Sequence, residues 1–283
     1  MPVNAVQHVR RMRGGAQSHL MRADDDCFYV VKFQNNPQHR RVLANELLAT
    51  RLGQEVGLPM PVPQLVWVDP WLVSHTPELN IQLARQTIPC QPGLQFGSRY
   101  VADPMSGVQV LDFLPESMLD RLRNREAFAG VLAFDKWTCN ANGRQAAFWK
   151  RPRERKYTAA FIDQGYCFNA GEWTFPDSPL RGVYGRNHVY VSVTGWDSFE
   201  PWLSRIEQMS ESTIAALAGE VPPEWYGDWD DMSQLVERLL LRRSRVRELI
   251  EDFRRSTRAP FPNWREREWV SGVGPEMSGL RPN

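Results

Sequence analysis

Cys27-Phe28-Tyr29-Val30-Val31-Lys32-Phe33 is the stretch on which the fold turns. It is β-branched and aromatic, and it lies between Asp24-Asp25-Asp26 and Gln34-Asn35-Asn36-Pro37, so it reads as a strand closed by turns at both ends. Alternation places Val30 and Lys32 on one face and Val31 and Phe33 on the other. A lysine in such a strand either points to water from an edge or needs a carboxylate or phosphate beside it. Lysine is also scarce: four of the 34 basic residues are Lys32, Lys136, Lys150 and Lys156, and the other 30 are arginine. Compositional bias accounts for that ratio on the surface, but not for an ammonium inside a strand.

Upstream, residues 4–12 and 17–23 read as strands flanking Arg13-Gly14-Gly15-Ala16-Gln17-Ser18-His19. Small residues there let the backbone approach a phosphate, exposed N–H groups can cradle it, and Ser18 adds a hydroxyl. A Gly-Gly turn is equally a common hairpin connector. Downstream, Pro37 opens a helix to about Val56, with Val42, Leu47, Leu48, Leu52 and Val56 as its apolar stripe and Gly57 and Pro59 as its stop. Glu46 sits among these core positions. It is either a solvated glutamate or one facing the sheet, where a helix glutamate paired to a strand lysine aligns that lysine on ATP phosphates.

Strands are expected at 64–68, 94–101 and 108–113, followed by a helix over 116–138. A hairpin is expected from 145–150 and 157–163, with a charged, exposed turn Arg151-Pro152-Arg153-Glu154-Arg155. Beyond residue 199 the pattern is helical, most clearly over 232–256, and 266–283 reads as a poorly ordered tail. Two further segments carry chemistry. Phe134 to Gln145 (FDKWTCNANGRQ) is a polar loop between apolar elements. Phe161-Ile162-Asp163-Gln164-Gly165 ends a strand on an acidic residue, a geometry suited to holding Mg²⁺ against phosphate oxygens. The order is Gly turn, strand Lys, helix Glu, polar loop, hairpin, Asp-x-Gly. It is the order of parts in a protein-kinase-like phosphotransferase. The expected class is α+β and bilobal: a β-rich lobe with one helix over 1–115 and a mostly helical lobe with a hairpin over 116–265.

Bulk properties bound this reading. The chain has 283 residues, 42% hydrophobic and 24% charged, which suits a folded protein with a substantial core. A net charge of +1 makes no electrostatic case for nucleic acid or membrane. The N-terminal segment lacks an apolar run of signal-peptide length, and no segment has the length and apolarity of a membrane span. Cys27, Cys90, Cys139 and Cys167 lie far apart, without zinc-type spacing. The expectation is a soluble, reduced, cytoplasmic protein without a structural metal. The stretch Glu224-Trp225-Tyr226-Gly227-Asp228-Trp229 is either a recognition surface or, as we favour, ring packing between helices.

On GGAQSH, VVKF with Glu46, FDKWTCNANGRQ and AFIDQGYCF, residues 1–255 resemble the HipA-like kinases, a bacterial group related in fold to phosphatidylinositol kinases. The resemblance implies ATP, Mg²⁺ and phosphoryl transfer to a hydroxyl, often of a protein Ser or Thr. It implies that Gly14, Gly15, Ser18 and His19 lie at the phosphates. It also implies that Lys32 binds the α- and β-phosphates, that Glu46 orients Lys32, and that Asp163 holds the metal. Asp112, Phe113 and Leu114 would form the adenine hinge. The catalytic loop departs from the pattern F-D-x-x-x-x-N-x-D: Phe134, Asp135 and Asn140 match, but the catalytic aspartate falls on Asn142. A second metal-binding asparagine falls on Ala147, leaving Gln145 as a substitute ligand. In an alternative register, Asp135 and Asn140 keep a D-x-x-x-x-N spacing, with Asp135 as base and Asn140 on the metal. An amide cannot take the nucleophile's proton as a carboxylate can. Three readings follow for Asn142: a pseudokinase, an enzyme using Asp135 or another group, or an inactivating replacement of aspartate. A small-molecule phosphotransferase on the same fold is a further alternative.

Overall fold

The strand around Lys32 is the middle of a closed barrel. The structure, a computed structural model, describes residues 1–265; the expected tail lies outside the described residues. Strands β1 (Val3–Arg11), β2 (His19–Ala23) and β3 (Phe28–Lys32) form an antiparallel meander, followed by helix α1 (Val42–Glu55) and strand β4 (Pro63–Val68). A short helix α2 (Pro70–Ser74) and a small hairpin, β5 (Asn80–Gln82) with β6 (Thr87–Pro89), lead into β7 (Gly93–Arg99). The barrel order is β1-β2-β3-β7-β4, and it closes by a parallel pairing of β1 with β4 at Val3–Val66. Met21, Tyr29, Val31, Phe33, Val66, Val68 and Ile81 fill its interior. Because β3 pairs with β2 on one side and β7 on the other, Lys32 is not at an edge.

The same alternation corrects the expectation for His19. Its side chain is fully buried, with Nδ1 3.1 Å from His8 Nε2, Nε2 3.8 Å from Cys90 Sγ, and its ring edge-on to Phe33. Burial, then the nearby His8 and Arg11, push its pKa down to about 4, so the ring is neutral at pH 7. It belongs to the barrel core, not to a phosphate site.

Helix α1 starts at Val42 rather than near Pro37. The intervening residues are held in a turn: Asn36 Nδ2 donates to Ala16 O (2.8 Å) and Asn36 Oδ1 accepts from Gln38 N (2.9 Å), side-chain bonds that compete with helix. Strand β8 (Gln109–Leu111) is followed by a 3-10 turn over Glu116–Arg121 and helix α3 (Ala127–Trp137). The single helix expected over 116–138 is broken because Arg123 N donates to Tyr157 O and the Asn124 side chain bonds both backbone groups of Ala159. Strands β9 (Gln145–Lys150) and β10 (Thr158–Ile162) form the expected hairpin in a three-stranded sheet ordered β10-β9-β8.

Helices α4 (Trp202–Gln208), α5 (Glu211–Ala218), α6 (Trp229–Arg243) and α7 (Val246–Arg254) complete the described chain. The run expected over 232–256 is two helices, divided where Ser244 Oγ bonds back to Leu241 O and Arg245 turns to Asp177. One buried cluster joins α1 to α3, β9, β10 and the C-terminal helices, so α1 is anchored to the helical part as well as to the barrel. Trp225 and Tyr226 pack in this cluster, whereas Trp229 is 58% exposed. Among the described residues, no helix is long and apolar enough to cross a membrane.

Candidate active site

Four side chains foreseen from the sequence meet where the barrel faces the hairpin. Lys32 Nζ bonds Glu46 and lies 2.7 Å from Asp163 Oδ1, and Gln145 Nε2 donates to Asp163 Oδ2 at 2.8 Å. Lys32 reaches out from the barrel wall, Glu46 comes from the inner face of α1, Gln145 opens β9, and Asp163 follows β10. The last two meet because the hairpin register pairs Gln145 with Ile162, immediately before Asp163. Ala147, where the resemblance expects a ligand, is buried farther along β9 opposite Ala160.

Glu46 is 3% exposed and is surrounded by donors: Lys32 Nζ, Gln164 N at 3.0 Å and Gly165 N at 2.8 Å. Burial raises its pKa against the pull of Lys32, but with three donors it is held as a carboxylate. A Cβ at Gly165 would sit 2.7 Å from Val42 Cγ2 and 3.2 Å from Glu46 Oε1, so glycine is required for this approach. Burial alone would lower the Lys32 pKa, but the charges of Glu46 and Asp163 outweigh it and the net shift is upward. Asp163 is shifted down: burial opposes this, and the Lys32 charge and hydrogen bond prevail. Lys32 thus stands between the carboxyl groups of Glu46 and Asp163.

Two residues that sequence reasoning missed brace it. Asn45 Nδ2 points at the carbonyls of Gly165, Cys167 and Ala170 (2.8–2.9 Å), and its Oδ1 accepts from Trp173 Nε1 at 2.7 Å. An asparagine on the buried face of a helix was the available signal. Arg144 is fully buried. Its Nε donates to Asp135 Oδ2 at 2.8 Å, its Nη2 also pairs with Asp135, and its Nη1 donates to Ile162 O at 3.0 Å. It ties the end of α3 to the strand that presents Asp163. Asn140 Nδ2 donates to the same Asp135 at 3.0 Å, while Asn140 Oδ1 accepts from Asn142 N.

This geometry corrects the alternative register. Asp135 is sealed by Arg144 and Asn140, and Asn140 is spent on both ends of its amide. Among the described residues neither is bonded to Lys32 or Asp163, and the partners of both lie within the loop and α3. Removing Arg144 leaves the buried Asp135 carboxylate without its cation, a class of change costing about 3–5 kcal/mol. Arg144→Leu is therefore expected to lower the melting temperature sharply in a thermal-denaturation assay, and Arg144→Lys to recover part of the loss.

Asn142 lies in the exposed loop between α3 and β9, where its Oδ1 accepts from Gly143 N at 2.8 Å. Gly14 (φ +114°) and Gly15 sit at the exposed tip of the β1–β2 turn, and Ser18 is buried at its base. The turn is fixed by Gln17, whose side chain exchanges two hydrogen bonds with the Gln82 backbone. Asp112 and Phe113 are exposed on the link between β8 and the 3-10 turn. Leu114 is buried, its carbonyl accepts from Arg186, and the Arg186 guanidinium lies 4.2 Å from the Phe113 ring centre.

Among the described residues no group of three His, Cys, Asp or Glu could hold a metal by itself. Asp163 with the Gln145 amide oxygen offers hard oxygen donors of the kind that bind Mg²⁺ when phosphates and water complete the shell. The donor set thus fits a nucleotide-borne magnesium ion.

A family model for HipA-like kinases matches residues 5–168, a span that contains Lys32, Glu46, Asn142, Gln145 and Asp163. The chain belongs to the HipA-like kinase family. Solved structures share its protein-kinase-like fold. The Helicobacter pylori proinflammatory kinase CtkA superposes with a TM-score of 0.58 at 11% identity, covering 89% of this chain and 99% of that one. A Golgi casein kinase gives 0.53 at 12% identity, covering 88% and 74%, and hydra Fam20 gives 0.53 at 11%, covering 88% and 86%. At such identities these likenesses concern the fold alone. No curated protein matches the chain. Family and fold together make this a kinase-like phosphotransferase scaffold.

Proposed function

We propose that the chain binds ATP with Mg²⁺ between the Gly14-Gly15 turn and the hairpin, and transfers the γ-phosphate to a hydroxyl, on a protein Ser or Thr. The observation that carries this reading is the buried Lys32 held between Glu46 and Asp163. In this reading residues 1–115 and 116–265 are the two lobes and Asp112–Leu114 is the adenine hinge. Gly14, Gly15 and Ser18 border the phosphates. Lys32 exchanges Asp163 for phosphate oxygens, Glu46 keeps its alignment, and Asp163 with Gln145 receives the metal. Phosphoryl transfer proceeds through a loose transition state, so charge neutralisation by Lys32 and the metal does much of the catalysis.

Asn142 supports a second reading, a nucleotide-binding pseudokinase. No carboxylate replaces the expected base in that loop, since Asp135 is sealed behind Arg144. The two readings share the binding site and differ in turnover. Calorimetric titration of Mg-ATP tests the shared part: Asp163→Ala is expected to abolish the magnesium-dependent component of binding. Unchanged Mg-ATP affinity in that variant would remove the site assignment. Transfer from γ-labelled ATP to a peptide library and to small hydroxyl metabolites then separates enzyme from pseudokinase and protein from small-molecule acceptor.

A further inference from the structure

The net charge of +1 conceals a strong local asymmetry. Arg121, Arg123, Lys150, Arg151, Arg153, Arg155 and Lys156 lie on two short segments that carry one acid, Glu154. They amount to +6 on a chain of +1, which leaves −5 for all the rest. The fold brings the segments together, because Tyr157 N donates to Arg121 O (2.9 Å) and Arg123 N donates to Tyr157 O (2.8 Å). Glu154 reaches Arg123 at 3.4 Å. Arg121, Arg151, Arg153, Arg155 and Lys156 are exposed, and no carboxylate pairs with them among the described residues. Elsewhere, arginine after arginine is neutralised: Arg41 by Asp231, Arg51 by Glu220, Arg242 by Asp177, Arg247 by Glu207. Five adjacent cations left unpaired repel one another and destabilise the turn, so their accumulation calls for an external polyanion.

We propose that the β9–β10 turn, with the neighbouring Arg121, is a docking surface for the phosphodiester backbone of duplex DNA. Three observations select this partner. The turn has no exposed aromatic ring on which single-stranded bases could stack: Tyr157 is buried under Lys150 and Trp149 is half-buried. Its apolar side chain is Pro152 alone, which offers a membrane no anchor. The turn itself, residues 151–156, projects past the last pairing of β8 with β9 at Lys150, and so narrow a projection enters the major groove of B-form DNA, whereas the major groove of A-form RNA is too deep and narrow. The turn lies roughly 17 Å along β9 from Gln145, by strand rise, so docking there leaves the cleft around Asp163 open. The −5 carried elsewhere confines the contact to this edge and makes it non-specific and salt-sensitive.

Fluorescence anisotropy of the full chain with a labelled DNA duplex of roughly 20 base pairs tests this, at salt between about 50 and 200 mM. Five phosphate contacts give an expected log–log salt slope of about −4.5. Arg153 has φ +69°, a conformation asparagine tolerates, so Arg153→Asn with Arg155→Gln and Lys156→Gln removes three charges without backbone strain. That variant is expected to bind on the order of a hundredfold more weakly near 0.1 M salt, with the slope shallower by about 2.7. Its melting temperature and Mg-ATP affinity are expected to stay unchanged, which separates this surface from the nucleotide site. An unaltered slope in the triple variant would overturn the assignment. So would equal or tighter binding of an RNA duplex, phosphatidylserine vesicles or polyglutamate.

Discussion

Lys32→Met is expected to weaken Mg-ATP binding roughly ten- to a hundredfold and to lower the stability of the nucleotide-free protein as well. The first effect follows from losing charge-assisted hydrogen bonds to phosphate, worth about 1.5–3 kcal/mol. The second follows from what remains. Lys32 is 6% exposed and stands between Glu46 and Asp163, so a methionine leaves two carboxylates facing each other without a cation. Breaking a buried pair from one side costs about 3–5 kcal/mol. Glu46, whose burial already raises its pKa, would relieve part of this by taking a proton. That proton turns an acceptor into a donor facing Gln164 N and Gly165 N, so the Asp163 loop loosens too. Lys32→Arg restores charge but not the compact ammonium that fits between the carboxylates, so it recovers stability before nucleotide affinity. Calorimetry and thermal melting on both variants check this. A large fall in melting temperature with unchanged Mg-ATP affinity would make Lys32 a structural cation and nothing more.

What the sequence revealed of this site depends on how local each signal is. Lys32 was legible because a charged residue ends an otherwise apolar five-residue strand, and Glu46 because it breaks an apolar stripe of helical period. Asp163 was legible from its place at a strand end before glycine. His19 was misread, although His19, Met21 and Ala23 alternate on the inner face of β2. The Gly14-Gly15 turn drew attention to sequence proximity, and the pleat decides the direction. The contact of Gln145 with Asp163 depends on the hairpin register, and a one-residue slip would send the amide to the other face. The Arg144–Asp135 pair lies nine residues apart across a loop, with no helical or strand period to relate the two. Barrel closure rests on β1 meeting β4, about sixty residues later, and no local pattern encodes a parallel pairing at that distance. Lysine scarcity pointed to Lys32 but concealed Lys136. That residue is 2% exposed, has a pKa that burial pushes down to about 8, and donates to Pro179 O and Arg181 O.

Asn142→Asp is expected to raise phosphoryl transfer by about 10²–10⁴-fold, the range typical of a general base, while leaving stability within about 0.5 kcal/mol. Asn142 is exposed, and its backbone N–H is already fixed by Asn140 Oδ1, so the loop presenting the side chain is set independently of that side chain. Its Oδ1 accepts from Gly143 N, a bond a carboxylate oxygen accepts equally well. The loop itself is anchored from beneath by Asp135, Asn140 and Arg144, so the substitution needs no rearrangement of buried groups. The new carboxylate would stand three residues before Gln145, the side chain that bonds Asp163, and its negative charge is expected to strengthen the hold on a divalent cation as well. Two measurements separate the effects: γ-phosphate transfer at saturating magnesium reports the base, and the magnesium dependence of ATP binding reports the ligand. If both rise, Asn142 is what holds this kinase-like site at low turnover. If transfer by the unaltered chain is already robust and the aspartate adds nothing, the proton leaves by another route and the pseudokinase reading fails. If neither chain transfers phosphate while both bind Mg-ATP, the loop is not aligned for catalysis, and the site serves nucleotide recognition alone.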